Sequence, residues 1–70
     1  MNMTYYRINR LRCKRCGDIL EYEHKTKDSN PHMMMWCKCR AVALDPSAYY
    51  FRRVGNPEDY EDLSEEWKEQ

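Results

Sequence analysis

The chain has little with which to build an apolar interior. Leu, Ile and Val together occupy only Ile8, Leu11, Ile19, Leu20, Val42, Leu44, Val54 and Leu63, and there is a single Phe. The longest uninterrupted apolar run, residues 33–37, is far too short to cross a bilayer. The first twelve residues hold three arginines and no apolar stretch of the kind that heads a secretory signal, so a reduced, cytoplasmic setting is expected. Glycine is confined to Gly17 and Gly55, which excludes a glycine-rich phosphate loop. Ser29, Ser47 and Ser64 fall in turn or cap contexts and the carboxylates gather toward one end, leaving no nucleophile and base set in view. The expectation is a protein that is not an enzyme.

Seventy residues with so thin a core face an ordering cost of roughly 1.5 kcal/mol each, which burial of this few aliphatic groups does not offset. A staple is therefore expected, and the four cysteines supply one. Cys13 and Cys16 form a C-x2-C pair, and Cys37 and Cys39 form a C-x-C pair twenty residues on. Two pairs at this separation are the pattern of a tetrahedral Zn²⁺ site, with the second pair one residue tighter than usual. Two disulfides are the competing use, common in small secreted domains, but a reduced compartment disfavours them. A redox role for Cys13 and Cys16 lacks the βαβ surroundings it requires and leaves a second thiol pair unused. His24 and His32 bracket the central loop, yet four thiolates already complete a tetrahedron, and a closed site has no open position for catalysis. The expected cofactor is thus one Zn²⁺ held by Cys13, Cys16, Cys37 and Cys39.

Around those pairs the pattern reads as a ribbon: one domain over residues 1–70, with a β-ribbon over residues 4–54. Strands are expected at residues 4–12 and 18–24, joined by a knuckle whose Gly17 permits a positive φ. After a polar loop over residues 25–31, further strands are expected at residues 32–36, 41–44 and 48–54. In the first of these, alternation puts Met33 and Met35 on one side and Met34 and Trp36 on the other. The fold class expected is a small zinc-stabilised, β-rich domain, a zinc ribbon with two knuckles, followed by a short C-terminal α-helix. The helix is expected over residues 57–68: Asn56 can cap it, Pro57 suits its first position, and Tyr60, Leu63 and Trp67 make a narrow apolar stripe.

Formal net charge is zero, but the sum hides a division. Residues 1–53 contain eleven Lys/Arg against five Asp/Glu, a balance of +6, and residues 54–70 contain one Lys against seven Asp/Glu, a balance of −6. Either the acidic end folds back on the basic body, or one pole docks a partner of opposite sign. In a helix, Glu61 and Glu65, Asp62 and Glu66, and Glu65 and Glu69 would be like-charged i, i+4 pairs, each costing about 0.2–0.5 kcal/mol. A helix so flawed needs tertiary contacts or a partner. Presented together, Glu58, Asp59, Glu61, Asp62, Glu65 and Glu66 imitate a run of phosphates and are the candidate partner-binding residues. The basic residues beside the cysteines, Arg12, Lys14, Arg15, Lys38 and Arg40, favour deprotonated ligands, and they also suit a nucleic-acid-binding ribbon with Tyr5, Tyr6 and Trp36 as stacking surfaces.

The segments C13-K-R-C-G-D-I19, W36-C-K-C39, A41-V-A-L-D45 and Y50-F-R-R-V-G-N-P-E-D-Y-E-D-L63 resemble a family of small zinc-ribbon proteins of bacteriophages and Gram-positive bacteria. Those relatives usually carry Gly where Arg40 stands, a Gly pair where Pro46 and Ser47 stand, and a shorter central loop. The chain is also similar to metal-binding inhibitors of type II CRISPR effectors. The resemblance implies a phage-type accessory protein, acting in the cytoplasm of a bacterial host by protein–protein binding to a defence complex. The acidic residues would occupy the basic channel in which such effectors hold guide and target, and impede nucleic-acid loading.

Overall fold

The structure is a computed structural model and describes residues 4–68. Its spine is β1 (Tyr6–Cys13), whose burial pattern places Ile8, Leu11 and Cys13 inside. β2 (Ile19–Glu23) returns antiparallel to it, with Leu11 opposite Leu20 and Arg12 opposite Ile19. A second, three-stranded antiparallel sheet has β4 (Ala43–Leu44) at its centre, flanked by β3 (Met35–Trp36) and β5 (Arg53–Val54). Leu11, Leu20 and Cys13 from the first sheet meet Cys37, Val42 and Leu44 from the second in one buried cluster, with Met35, Ala41 and Tyr60 packed against it. The molecule measures 37 × 21 × 16 Å, so its thinnest dimension holds little more than two sheets spaced about 10 Å apart with one layer of side chains between them.

The C-terminal segment overturns the helical expectation. Pro57–Asp59 makes a single 3-10 turn, started by Pro57 as anticipated, and Tyr60 then adopts extended backbone. The chain continues as β6 (Tyr60–Asp62) and β7 (Glu65–Glu66), both antiparallel to β1 along the edge that β2 leaves open. The register explains why strand wins over helix. Glu61 lies directly opposite Arg12, and its carboxylate accepts from the guanidinium at 3.0 Å. Glu65 bridges Arg7 at 2.8 Å and Arg10 at 3.0 Å, and Asp62 pairs with Arg53 at 3.2 Å. Of the carboxylates that would repel at i, i+4 in a helix, Glu61 and Glu65 find guanidinium groups on the neighbouring strand β1, and Asp62 finds Arg53 of the second sheet. Between the two strands Ser64 fills the break in the ladder: its hydroxyl accepts from the Arg10 amide at 3.1 Å, and the Leu63 amide donates to the Arg10 carbonyl at 2.8 Å.

Two shorter expectations also change. Residues 48–52 are not strand: Ala48 is fully buried and its backbone bonds singly to Ser29 and Tyr6, while the side-chain amide of Asn30 donates to the hydroxyls of Tyr49 and Tyr50. β3 begins only at Met35, because His32 takes a φ of 55° and breaks the run before it. Met35 packs on the core, whereas Met33, Met34 and Trp36 are all exposed, so the two-sided alternation of the four residues does not form.

Candidate metal centre

Cys13 ends β1 and Cys16 follows it in a turn closed by the Gly17 amide donating to the Cys13 carbonyl at 2.8 Å. Gly17 has a φ of 78°. The second knuckle lies between β3 and β4, closed by the Arg40 amide donating to the Cys37 carbonyl at 3.0 Å. Arg40, like Gly17, is the residue after the second cysteine of its pair, and it too is left-handed, with a φ of 61°. Each knuckle thus needs one positive φ at the same place. The second obtains it from an arginine, at a cost of roughly 1–2 kcal/mol relative to glycine. The two knuckles are also tied directly, since the Asp18 carboxylate accepts from the Lys38 amide at 3.1 Å.

These turns bring the four Sγ atoms within 4.8 Å of one another. Cys39 Sγ lies 3.6 Å from both Cys13 Sγ and Cys37 Sγ, and all four thiols are free. A tetrahedron with metal–sulfur bonds of about 2.3 Å has sulfur–sulfur edges of roughly 3.8 Å, so the cluster already has the dimensions of a four-sulfur metal site. A disulfide, at about 2.05 Å, does not match. Backbone amides complete the electrostatics. Those of Asp18 and Cys39 face the Cys16 sulfur and hold its thiol down at about 6, and at Cys37 burial works against the thiolate but the Val42 amide, the Cys39 and Cys13 sulfurs and the Ala41 amide together lower the thiol. Cys39 behaves oppositely: the Ala41 amide favours its thiolate, but burial and the three neighbouring sulfurs push it up to about 12. Four thiolates cannot share this space without a cation, and a divalent ion removes the conflict. Cys13, Cys16, Cys37 and Cys39 can therefore hold a metal ion.

The two histidines stand apart from the cluster. His32 is exposed, and His24 is buried in a polar knot that the sequence did not disclose. The Ser47 amide donates to Asn9 Oδ1 at 2.8 Å, which fixes that oxygen inward, and His24 Nε2 donates to the same oxygen at 2.5 Å. Nδ1 is then the acceptor for the Ser29 hydroxyl at 2.7 Å. Burial lowers the pKa of His24 below its usual value, which keeps the ring neutral. Asn9, His24, Ser29 and Ser47 come from β1, the end of β2, the central loop and the turn after β4, so the knot ties the long connections to the spine. Periodicity carries no signal for it, because Asn9 and His24 sit where a strand pattern allows either burial or exposure.

Of the six candidate partner-binding acids, Glu61, Asp62 and Glu65 are ion-paired within the chain as described, and Glu58, Glu66 and Asp59 lie along the same segment, the first two exposed and the third half-buried. Arg53 is the buried partner, its side chain 1% exposed. Its guanidinium donates to the Ser64 hydroxyl at 2.7 Å and stacks over Phe51 at 4.1 Å.

Fold and site together define a small β-rich domain of two antiparallel sheets pinned at a four-cysteine cluster that can hold a metal. The match that follows is to a family model described as a domain of unknown function, DUF7695, over residues 6–55, and the chain belongs to that family. The matched span contains both knuckles and β1 to β5 and stops before the acidic strands. No curated protein and no solved structure matches the chain. Among the described residues, no helix is long and apolar enough to cross a membrane.

Proposed function

We propose that the chain is a zinc-stapled, non-enzymatic binding protein of the cytoplasm, in which one Zn²⁺ on Cys13, Cys16, Cys37 and Cys39 completes a zinc ribbon. The observation that carries this reading is the convergence of four free thiols, with inward-facing amides, on a cluster of tetrahedral size. Zinc fits better than a harder cation because all four donors are sulfur. A closed tetrahedron leaves the metal no position for substrate, so its work is to hold the knuckles. Elemental analysis of the reduced, purified protein tests this: one zinc per chain is expected, and a stoichiometry near zero refutes it.

The partner class follows from the resemblance to phage-type accessory proteins. In this reading the chain inhibits a host defence complex, a type II CRISPR effector, by protein–protein binding that blocks nucleic-acid loading. The contact does not draw on an acidic helix. It draws on the turn before β6 and on β7, where Glu58 and Glu66 are exposed and make no ion pair among the described residues. Charge reversal of Glu58 and Glu66 is the informative variant, because reversing Glu61, Asp62 or Glu65 also breaks pairs that hold the segment to β1. Loss of effector binding with zinc retained is expected; unchanged inhibition removes the acidic-contact mechanism. The second reading, a nucleic-acid-binding ribbon, is favoured by a separate observation: the cations of the knuckles are not consumed by the acidic segment.

A further inference from the structure

The fold separates the arginines of β1 and β5 from the cations of the two knuckles. Arg7, Arg10, Arg12, Arg52 and Arg53 are all ion-paired inside the molecule. Lys14, Arg15, Lys38 and Arg40 are exposed, and among the described residues none of them pairs with a carboxylate. All four are chain neighbours of a cysteine ligand, and the ligand sulfurs lie within 4.8 Å of one another, so the four cations surround one cysteine cluster. The one acid of the two knuckles, Asp18, turns its carboxylate onto the Lys38 amide. A zinc ion with four thiolates carries a formal charge of −2, which the amides of Asp18, Cys39, Ala41 and Val42 help to delocalise, and four cations exceed it. Trp36, next in the chain to Cys37, is 42% exposed although its strand neighbour Met35 is packed inward.

Unpaired cations around an exposed indole, which can stack on a base only where that base is free of its own duplex stack, are the chemistry that recognises a single-stranded nucleic acid. We propose that the knuckle end binds single-stranded nucleic acid, with Lys14, Arg15, Lys38 and Arg40 on backbone phosphates and Trp36 stacked on a base. The inference rests on the reading of the chain as a zinc-stapled binding protein, since the knuckles hold their shape only around the ion. It places recognition at the opposite pole of the sequence charge from the acidic strands, which serve here to neutralise the arginines of β1. It also gives the left-handed Arg40 a use: the residue adds a cation where glycine would be easier for the backbone.

The test is fluorescence anisotropy of a labelled oligothymidine with the zinc-loaded full chain, with duplex DNA and polyglutamate as competitors. With four phosphate contacts the logarithm of the affinity should fall with the logarithm of salt at a slope of about −2.8, roughly a 50-fold loss between about 50 and 200 mM. Lys14→Gln, Arg15→Gln, Lys38→Gln and Arg40→Gly combined should abolish binding, and Arg40→Gly alone should flatten the slope by about 0.7 without backbone strain. Trp36→Leu should weaken binding roughly 5- to 100-fold and leave the slope unchanged. No binding at low salt, equal binding by the quadruple variant, or competition by polyglutamate rather than by single strands overturns the proposal. Zinc content measured on the same samples separates the failures: chains without zinc refute the stapled fold, and zinc-loaded chains that bind no oligonucleotide refute this inference alone.

Discussion

Replacing Gly55 with alanine should damage the protein far more than the same change at Gly17, although both glycines have positive φ. Gly55 sits just after β5 at a φ of 116°, and a Cβ there would stand 2.6 Å from the Ala41 carbonyl oxygen, 3.0 Å from Val42 Cγ1 and 3.2 Å from Val42 Cα. Two of these three neighbours are backbone, and they belong to the segment that leads from the second knuckle into β4. Gly17, at a φ of 78°, has nothing within 4 Å of the added atom. Each substitution therefore carries a conformational cost of about 1–2 kcal/mol, and Gly55→Ala adds an overpacking cost of about 1–3 kcal/mol. A chain of seventy residues is held by only about 4–10 kcal/mol, so the second term is a large share of the total. At about 4–8 °C per kcal/mol, the zinc-loaded Gly55→Ala protein should melt at least about 10 °C below the wild type and clearly below Gly17→Ala. Because the Val42 carbonyl accepts from the Cys37 amide at 3.2 Å, the strain reaches the metal cluster, and a chromogenic chelator should strip zinc from the Gly55 variant at lower concentration. Coincident melting of the two variants would refute the close approach of Gly55 to Ala41.

Chelation should unfold the chain outright, since zinc contributes on the order of 10–16 kcal/mol to small zinc peptides, more than this domain's whole stability; retention of near-native circular dichroism after metal removal argues against the staple. His24 gives a pH dependence whose sign is set by burial: the fold keeps the ring neutral, the unfolded chain takes up a proton near 6.5, and stability is complete above that value and declines as pH falls toward the lowered folded value. Urea midpoints at pH 7.5 and 5.5 should separate for the wild type and converge for His24→Gln, and equal separation in the variant assigns the effect elsewhere. Asp62→Ala should cost about 3 kcal/mol in thermal or urea unfolding, because it leaves the buried Arg53 guanidinium without its carboxylate; a loss under about 0.5 kcal/mol would show the pairing to be incidental. Glu61→Gln with Glu65→Gln should speed hydrogen exchange at the Leu63 and Trp67 amides, which bond to the Arg10 and Tyr5 carbonyls, while leaving the β1–β2 ladder protected. Uniformly faster exchange would mean the acidic strands are part of the global fold.

What the chain discloses before folding depends on whether a signal is local. Two close cysteine pairs declare a metal cluster, because sulfur spacing is a property of a few residues, and Gly17 and the loop over residues 25–31 declare turns for the same reason. The first two strands appear within two residues of their expected ends, since β-branched and aromatic residues there meet no competing pattern. The acidic end departs from the helix its sequence predicts because the helix-start signal is sound over only three residues: Asn56, Pro57 and Glu58 do begin a turn, but beyond Asp59 the partners are Arg7, Arg10, Arg12 and Arg53, about 50 positions away for the first three. Asn9, His24, Ser29 and Ser47 were illegible for the converse reason, each being unremarkable until the others arrive beside it. The left-handed backbone at Arg40 is legible once the second knuckle is aligned on the first, where the residue after the last cysteine is Gly17.

The charge division of the sequence acquires a different meaning once paired in space. The acidic end does not face outward as a block: Glu61, Asp62 and Glu65 are matched to arginines of β1 and β5, most of them between groups about half exposed. Exposed pairs of this kind contribute little individually and weaken with salt, so they select how the segment lies more than they hold the molecule together. On the proposed zinc-stapled reading the folding energy comes from the ion and the thin aliphatic cluster, and Cys13 and Cys37 place the four-sulfur cluster beside that core at the junction of the two sheets. The residual field follows from subtraction: with the arginines of β1 matched by β6 and β7, four cations that pair with no carboxylate among the described residues lie on the two knuckles. If the proposed ion holds those knuckles, it fixes both the fold and the surface proposed for recognition, so losing it should remove both in a single transition.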